Sequence, residues 1–302
     1  FFFGDQGSQA QAGLGSGAAD IDQVRQLGYA GWLDAQFALP RSSGYVDWLR
    51  SKGYDNPDNR NSFAGSNNML WRKLIGSPDV LRQRMTLALT EIVVVSLNGL
   101  ANLGFRSFSA AAYMDIIEAQ AFGNFRTLLI GAAQDPAMLT YLDAGVNVKG
   151  APNENFAREI MEMFTMGVGN YSEHDIREAA RAFTGWYYSG LEFKIDAAKH
   201  DDGEKEFLGA KGNFDGIQVI DHILAQDATS QYIAARLYRY LVRDELSPTL
   251  KAALAARLKT GNYDIAAYLE TLFLSHDFYS PASVATRIKS PVELVISTYH
   301  KL

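Results

Sequence analysis

Between Pro152 and Trp186 the chain reads PNENFAREIMEMFTMGVGNYSEHDIREAARAFTGW, two helical patterns parted by Gly167 and Gly169. Asn153 is placed to cap the first, and Phe156, Ile160, Met163 and Phe164 form its apolar stripe. Ser172 followed by Asp175 predicts a capping-box start for the second. Its Ile176, Ala179, Ala180 and Phe183 face a core before Gly185 ends it. A turn this short makes the two helices neighbours, so a helical hairpin is expected at the middle of the chain.

The hairpin is dense in ionisable groups. Glu154 and Arg158 stand four apart, as do Arg158 and Glu162, and Glu159 and Glu162 stand three apart. Glu173, Arg177 and Arg181 follow one line on the second helix. Two explanations compete. One is a solvated network of ion pairs, each worth about 0.3–0.5 kcal/mol. The other is a cleft wall whose carboxylates are held by arginines for acid–base work or cation binding.

Around the hairpin the periodicity is helical. Asp20 is a candidate N-cap for IDQVRQL, which runs to Gly28, and GWLDAQFAL stops at Pro40. Residues 53–67 read as a long loop. SPDVLRQRMTLALTEIVVVS is expected to start with Ser77 as cap and Pro78 at its first position, and to lie buried. Arginines at a helix start oppose the macrodipole, so Arg82 and Arg84 each call for an acidic partner. Asp135 with Pro136 opens a further helix. After Trp186, WYYSGLEFKI alternates around Ser189–Gly190 as a β-hairpin does, and helices resume from Gly216. The reading is a mainly α multi-helix globular domain over 20–302, with roughly a dozen helices. A small β-hairpin insertion is placed near 186–208, as a subdomain of about 186–215, and residues 1–19 are a loop or tail.

With 302 residues, 47% hydrophobic, the chain can bury a large core. Its net charge of −6 removes a domain-wide basic field, so no nucleic-acid partner is expected. No run of about 18 apolar residues offers a membrane span. Cysteine is absent, which excludes disulfides, thiol catalysis and zinc–thiolate centres. GxSxG, HExxH, Walker and Rossmann signatures are missing, and GLGSG near the start has no strand before it. A start at Phe1 is what a cleaved export signal or a trimmed chain would leave. A second cluster, His200-Asp201-Asp202-Gly203-Glu204-Lys205, can serve as metal ligands, as a proton shuttle or as a solvated turn.

These segments carry a resemblance. NENFAREIMEMFTMGVGNYSEHDIREAARAFTGW resembles the hallmark of the bacterial domain of unknown function 1800 family, and four other stretches agree in order and spacing: LGYAGWLDAQFALP, LRQRMTLALTEIVVVS, HDDGEKEFLG and RIKSPVELVIS. The match covers about residues 20–302. The chain lacks that family's Arg-x-Thr-Phe-Gly opening, and it stops before the Asp-Pro-Pro…Gly-Trp segment, so C-terminal incompleteness relative to the family is expected. The resemblance implies a mostly helical bacterial protein, often exported and often encoded beside a sulfatase-like family, with no established reaction. The positions it matches are Asn153, Glu154, Asn155, Arg158, Glu159, Glu162, Asp175, Arg177, Arg181, Thr184, Gly185, Trp186, His200, Asp201, Gly203 and Lys205.

Three functional expectations follow. The first is an exported, periplasmic or extracellular, hydrolase- or lyase-like enzyme acting on a glycan or similar polar polymer. Glu159, Glu162, His200 and Asp201 are its candidate catalytic residues. Asn153, Asn155, Arg158, Arg177, Arg181, Trp186 and Lys205 are its candidate substrate contacts, with Trp186 or Tyr187 stacking a sugar ring. Carboxylates about 5–5.5 Å apart would suit retention and about 6.5–9.5 Å inversion. The second is a non-enzymatic helical module that binds a partner such as the sulfatase-like protein. The third is a metal-dependent activity at His200 and Asp201; no cofactor is expected beyond such a divalent metal.

Overall fold

The computed structural model describes residues 12–15, 18–100, 103–284 and 286–300. The apolar Phe1–Phe3 start and the Ser16–Gly17 end of the glycine-rich loop lie outside them. Fourteen α-helices and two small two-stranded antiparallel sheets make a mainly α fold among the described residues.

Helix α1, Ala18–Ala38, is broken at Gly28, whose φ of 71° and ψ of 172° are not helical. Two helices therefore meet there, as the sequence predicts, but Asp20 lies within the first turn rather than at the cap. Helix α2 (Tyr45–Ser51) is followed by α3 (Phe63–Gly76), α4 (Val80–Thr90) and α5 (Arg106–Ala119). Helices α3 and α5 lie side by side and run the same way. Ser107 donates to the Ser62 carbonyl at one end, and Lys73 meets Glu118 at the other. Helix α4 is buried through Leu81, Met85, Ala88 and Leu89. It starts later than the Ser77–Pro78 signal suggests, with Asp79 at its N-cap, because the Ser77 amide closes α3 on the Lys73 carbonyl. Arg82 and Arg84 have their acids, Asp79 at 3.1 Å and Glu293 at 2.5 Å.

Helices α6 (Phe125–Gln134) and α7 (Pro136–Tyr141) lead to the hairpin, with the Asp135 side chain accepting from the Ala137 amide as cap. Its first helix, α8, spans Glu154–Glu159 and then widens into a π-helical stretch, Ile160–Met166. The Thr165 hydroxyl donates to the Ile160 carbonyl at 2.6 Å and so competes for the α-helical acceptor. The Gly167 amide closes the stretch on the Glu162 carbonyl, five residues back. Wider turns rotate the side chains, so Met161, Thr165 and Met166 are buried while Met163, expected in the core, is 43% exposed. Helix α9, Glu173–Ala182, begins with the predicted capping box of Ser172 and Asp175.

Strands β1 (Trp186–Ser189) and β2 (Glu192–Ile195) form the expected hairpin, turning at Gly190 with φ 62°. A second hairpin, β3 (Lys205–Phe207) and β4 (Ala210–Gly212), was not anticipated as a sheet of its own. Its turn residues Leu208 and Gly209 both have positive φ, 48° and 80°, the geometry that matches the twist of a two-residue β-turn. Helices α10 (Gly216–Ala225), α11 (Asp227–Leu241), α12 (Pro248–Thr260), α13 (Ile265–Phe273) and α14 (Pro291–Tyr299) complete the fold. Lys259 at the end of α12 reaches Asp227 at the start of α11, so that pair is antiparallel.

Candidate functional site

Helices α8 and α9 pack as the predicted hairpin, and three separate arrangements form on it. The first is exposed. Arg158 joins Glu154 at 3.1 Å along its own helix and Glu173 at 2.7 Å across to α9. Its expected second partner, Glu162, is turned away by the π stretch. Glu173 is 65% exposed, so these are weak solvated pairs. Asn153 caps α8 through the Asn155 amide, and the Asn155 side chain donates to the Leu142 carbonyl. Arg177 is exposed.

The second arrangement is the carboxyl pair. Glu159 is half-buried at the junction of α and π turns, with no hydrogen bond or ion pair among the described residues. Burial raises its carboxyl above the ordinary glutamate range, and the nearby Glu162 charge adds to that. Glu162 accepts a 2.7 Å hydrogen bond from the Tyr171 hydroxyl, whose own proton is held more tightly by burial and by that bond. Two acids three residues apart thus occupy unlike surroundings, one without a partner and one with a donor.

The third arrangement joins α9 to the His200–Lys205 segment. Arg181 reaches the Asp201 carboxylate through Nε at 2.8 Å and Nη2 at 3.3 Å, and donates to Glu178 at 2.8 Å and to the Glu204 carbonyl at 3.1 Å. Arg181 above all, with the Gly203 amide, pulls Asp201 down to about 2. Thr184, fully buried, accepts the Asp201 amide at 2.7 Å and donates to the Arg181 carbonyl at 2.6 Å. His200 Nδ1 lies 2.9 Å from the Thr184 carbonyl, a contact that needs the proton on that nitrogen. The acidic edge of α9 also takes up backbone donors, Glu178 from Glu206 and Asp175 from Leu208. Gly203 lies close under the clasp, and a Cβ there would stand 2.7 Å from Arg181 Nη2, so a larger residue would have to displace the guanidinium.

This junction accounts for several expected substrate contacts. Lys205 is 1% exposed, and its ammonium donates to the Asp201 and Gly203 carbonyls and to Asn213. Trp186 is 3% exposed, edge-on to Phe183 and Phe193 with ring centroids 5.0 Å from each. Its ring is core and has no free face for a sugar; Tyr187, 40% exposed, remains open. Asn147, which the sequence reading did not single out, ties the ends together. It is 1% exposed, donates to the Ala180 carbonyl and accepts the Asn153 amide. Glu178 and Tyr171 were likewise unmarked, and only their partners reveal them.

The carboxyl pair and the junction do not converge. Arg158 fixes Glu173 opposite it, and Arg181 lies two helical turns beyond Glu173, about 12 Å along α9. Glu159 and Glu162 sit toward the Gly167 turn, while Arg181, His200 and Asp201 sit at the other end. Among the described residues no three His, Asp or Glu side chains are grouped so as to hold a metal ion.

The sequence profile of one family, described as Protein of unknown function (DUF1800), matches residues 9–301, nearly the whole chain. No curated protein and no solved structure matches it.

Proposed function

The chain belongs to the DUF1800 family, and on that premise we propose that it is an exported protein whose hairpin carries an acid–base site, hydrolase- or lyase-like, acting on a cell-envelope or extracellular glycan. One observation carries the reading: Glu159 is half-buried without a partner, three residues from Glu162, which has the Tyr171 hydroxyl. Unlike surroundings for two neighbouring carboxyls separate an acid from a base. Glu159, whose carboxyl burial raises, is the proton donor, and Glu162, which accepts the Tyr171 hydroxyl, is the base or nucleophile. π turns recur at functional sites, where the extra residue re-aims side chains. Arg181, Asp201, His200 and Lys205 serve this reading as the scaffold that sets α9, and through it α8, in place.

The test is a panel of envelope and extracellular glycans scored for newly formed chain ends. Glu159→Gln and Glu162→Gln are each expected to lower turnover by about 10²–10⁴, the range for loss of one acid–base group. Unchanged turnover in both variants would remove the reading. A partner-binding module is the second reading, supported by the exposed apolar side chains Met163 and Val168, 43% and 76% accessible beside the same pair. Retention of the sulfatase-like neighbour on immobilised protein, abolished by Val168→Asp, would favour it.

A further inference from the structure

Helix α11 begins a partly exposed face where the carboxyl pair ends. The Tyr232 hydroxyl donates to the Met163 carbonyl at 3.0 Å, and its ring lies against Gly167, where a Cβ would stand 2.8 Å away. From there Tyr232, Arg236 and Tyr240 follow at four-residue steps, one line on the helix, with Arg239 on the neighbouring line. Arg236 lies 5.7 Å from the Tyr232 ring centre and donates to the Tyr232 hydroxyl and the Glu91 carbonyl. Arg287 covers the Tyr240 ring at 4.9 Å and donates to the Arg239 carbonyl. Arg239 itself donates to the Asp244 carbonyl.

Neighbouring arginines are neutralised, Arg84 by Glu293 and Arg243 by Asp277. Arg236, Arg239 and Arg287 are not: among the described residues none has a carboxylate within ion-pair distance, and each meets only carbonyl or hydroxyl oxygens. Glu91 faces Arg236 and Arg287, and Glu293 faces Arg287 as well as Arg84; loss of hydration raises the Glu91 carboxyl above its ordinary range. With Arg84 they make four guanidinium charges facing the two carboxyls Glu91 and Glu293, a local excess of positive charge in a chain with 34 acidic against 28 basic residues. Their planar forks suit carboxylate or sulfate groups, and the tyrosine rings beside Arg236 and Arg287 hold those two in orientation. The face is short, and the net charge of −6 opposes a long, dense polyanion such as duplex DNA.

We infer that the Tyr232–Arg236–Tyr240 face of α11, with Arg239 and Arg287, binds the acidic groups of a carboxylated or sulfated glycan and leads the chain toward Glu159 and Glu162. The binding stands on its own; its direction and purpose rest on the acid–base reading above. The experiment is calorimetric titration of the full chain with an oligogalacturonate, a sulfated chondroitin oligomer and a neutral cello-oligomer of equal length, at low and high salt. One of the two acidic oligomers is expected to bind, more weakly at high salt, and the neutral one not to bind; which acidic oligomer binds identifies the anionic group. The Arg236→Gln/Arg239→Gln/Arg287→Gln variant is expected to bind at least tenfold more weakly, and the corresponding Arg→Lys variant to retain part of the affinity with an unchanged melting temperature. Glu159→Gln/Glu162→Gln should bind as the parent does, so loss of turnover and loss of binding are read separately. Equal binding of the neutral oligomer, parent-like binding by the triple Gln variant, or binding of duplex DNA with neither acidic oligomer bound would overturn the inference.

Discussion

Arg181 and Asp201, twenty residues apart in the chain, face each other as a two-pronged pair, Nε to Oδ2 at 2.8 Å and Nη2 to Oδ1 at 3.3 Å. The pair is the clasp between α9 and the segment that precedes β3. Around it the chain spends its acids on structure: Asp175 and Glu178 accept amides of the second hairpin as a neighbouring strand would. Arg181→Ala is therefore expected to destabilise the fold by about 1.5–3 kcal/mol, the range for hydrogen bonds to charged groups. Asp201→Asn should cost less, and a double-mutant cycle by denaturant melting should show strong coupling between the two positions. Additive effects would mean the clasp is incidental.

The same pair contributes to the acid limb of stability, beside Glu118, Asp175 and Glu293, which are also held below the ordinary range. Asp201 falls to about 2 in the folded chain from an ordinary 3.8. A depressed acid contributes stability that is present above its unfolded value and lost as pH falls through the folded one. Melting temperatures of the parent should drop between about pH 4 and pH 2, and Asp201→Asn should flatten that part of the curve.

Asp135 runs the opposite way. It is 6% exposed, and burial pushes its carboxyl up from 3.8 to about 7, the Ala137 amide only partly offsetting it. A raised acid gives stability that is complete below the unfolded value and lost as pH rises through the folded one, here across about pH 4 to 7. Asp135→Asn keeps an oxygen for the Ala137 amide and carries no charge. It should melt higher than the parent at pH 8 and no higher at pH 4; the reverse order would show that the charged form is the one the fold prefers.

Thr165 tests the π stretch. Its hydroxyl bond to the Ile160 carbonyl is removed in Thr165→Val, which keeps the shape of a fully buried side chain. A loss of about 1 kcal/mol is expected, with faster hydrogen exchange at the Gly167 amide and lower turnover on any substrate found. Thr165→Ser should restore both, whereas a variant with parent-like exchange would show that the wide turns do not depend on this hydroxyl.

Lys73 and Glu118, both fully buried and 2.6 Å apart, form the deepest ion pair described. Glu118 also accepts from Gln83 at 2.8 Å and from Arg41 at 2.9 Å. Lys73→Met leaves a buried carboxylate short of one partner and should cost about 3–5 kcal/mol. The paired change Lys73→Met with Glu118→Leu should recover part of that loss in urea melts, Arg41 and Gln83 then being left without their acceptor.

What was legible in the sequence acts over a few residues. Asn153, Asp135 and the Ser172–Asp175 box each satisfy amides two or three positions away. Gly190 supplies the positive φ its turn needs. Those geometries follow from the backbone alone, so the mainly α fold and the first β-hairpin could be read directly. Partners across the fold could not. Periodicity allowed Arg158 both Glu154 and Glu162, and packing of α9 replaced the second with Glu173. A regular helix would bury Met163, and the π turns of Ile160–Met166 place it outward. The charge of Lys205 suggests solvent, yet three oxygens from the tertiary fold hold it inside. The sequence by itself determined several helix caps and the pairing of the central helices; tertiary structure decided which charges lock the fold and which, such as Glu159, have no partner, because that depends on neighbours that chain spacing does not specify.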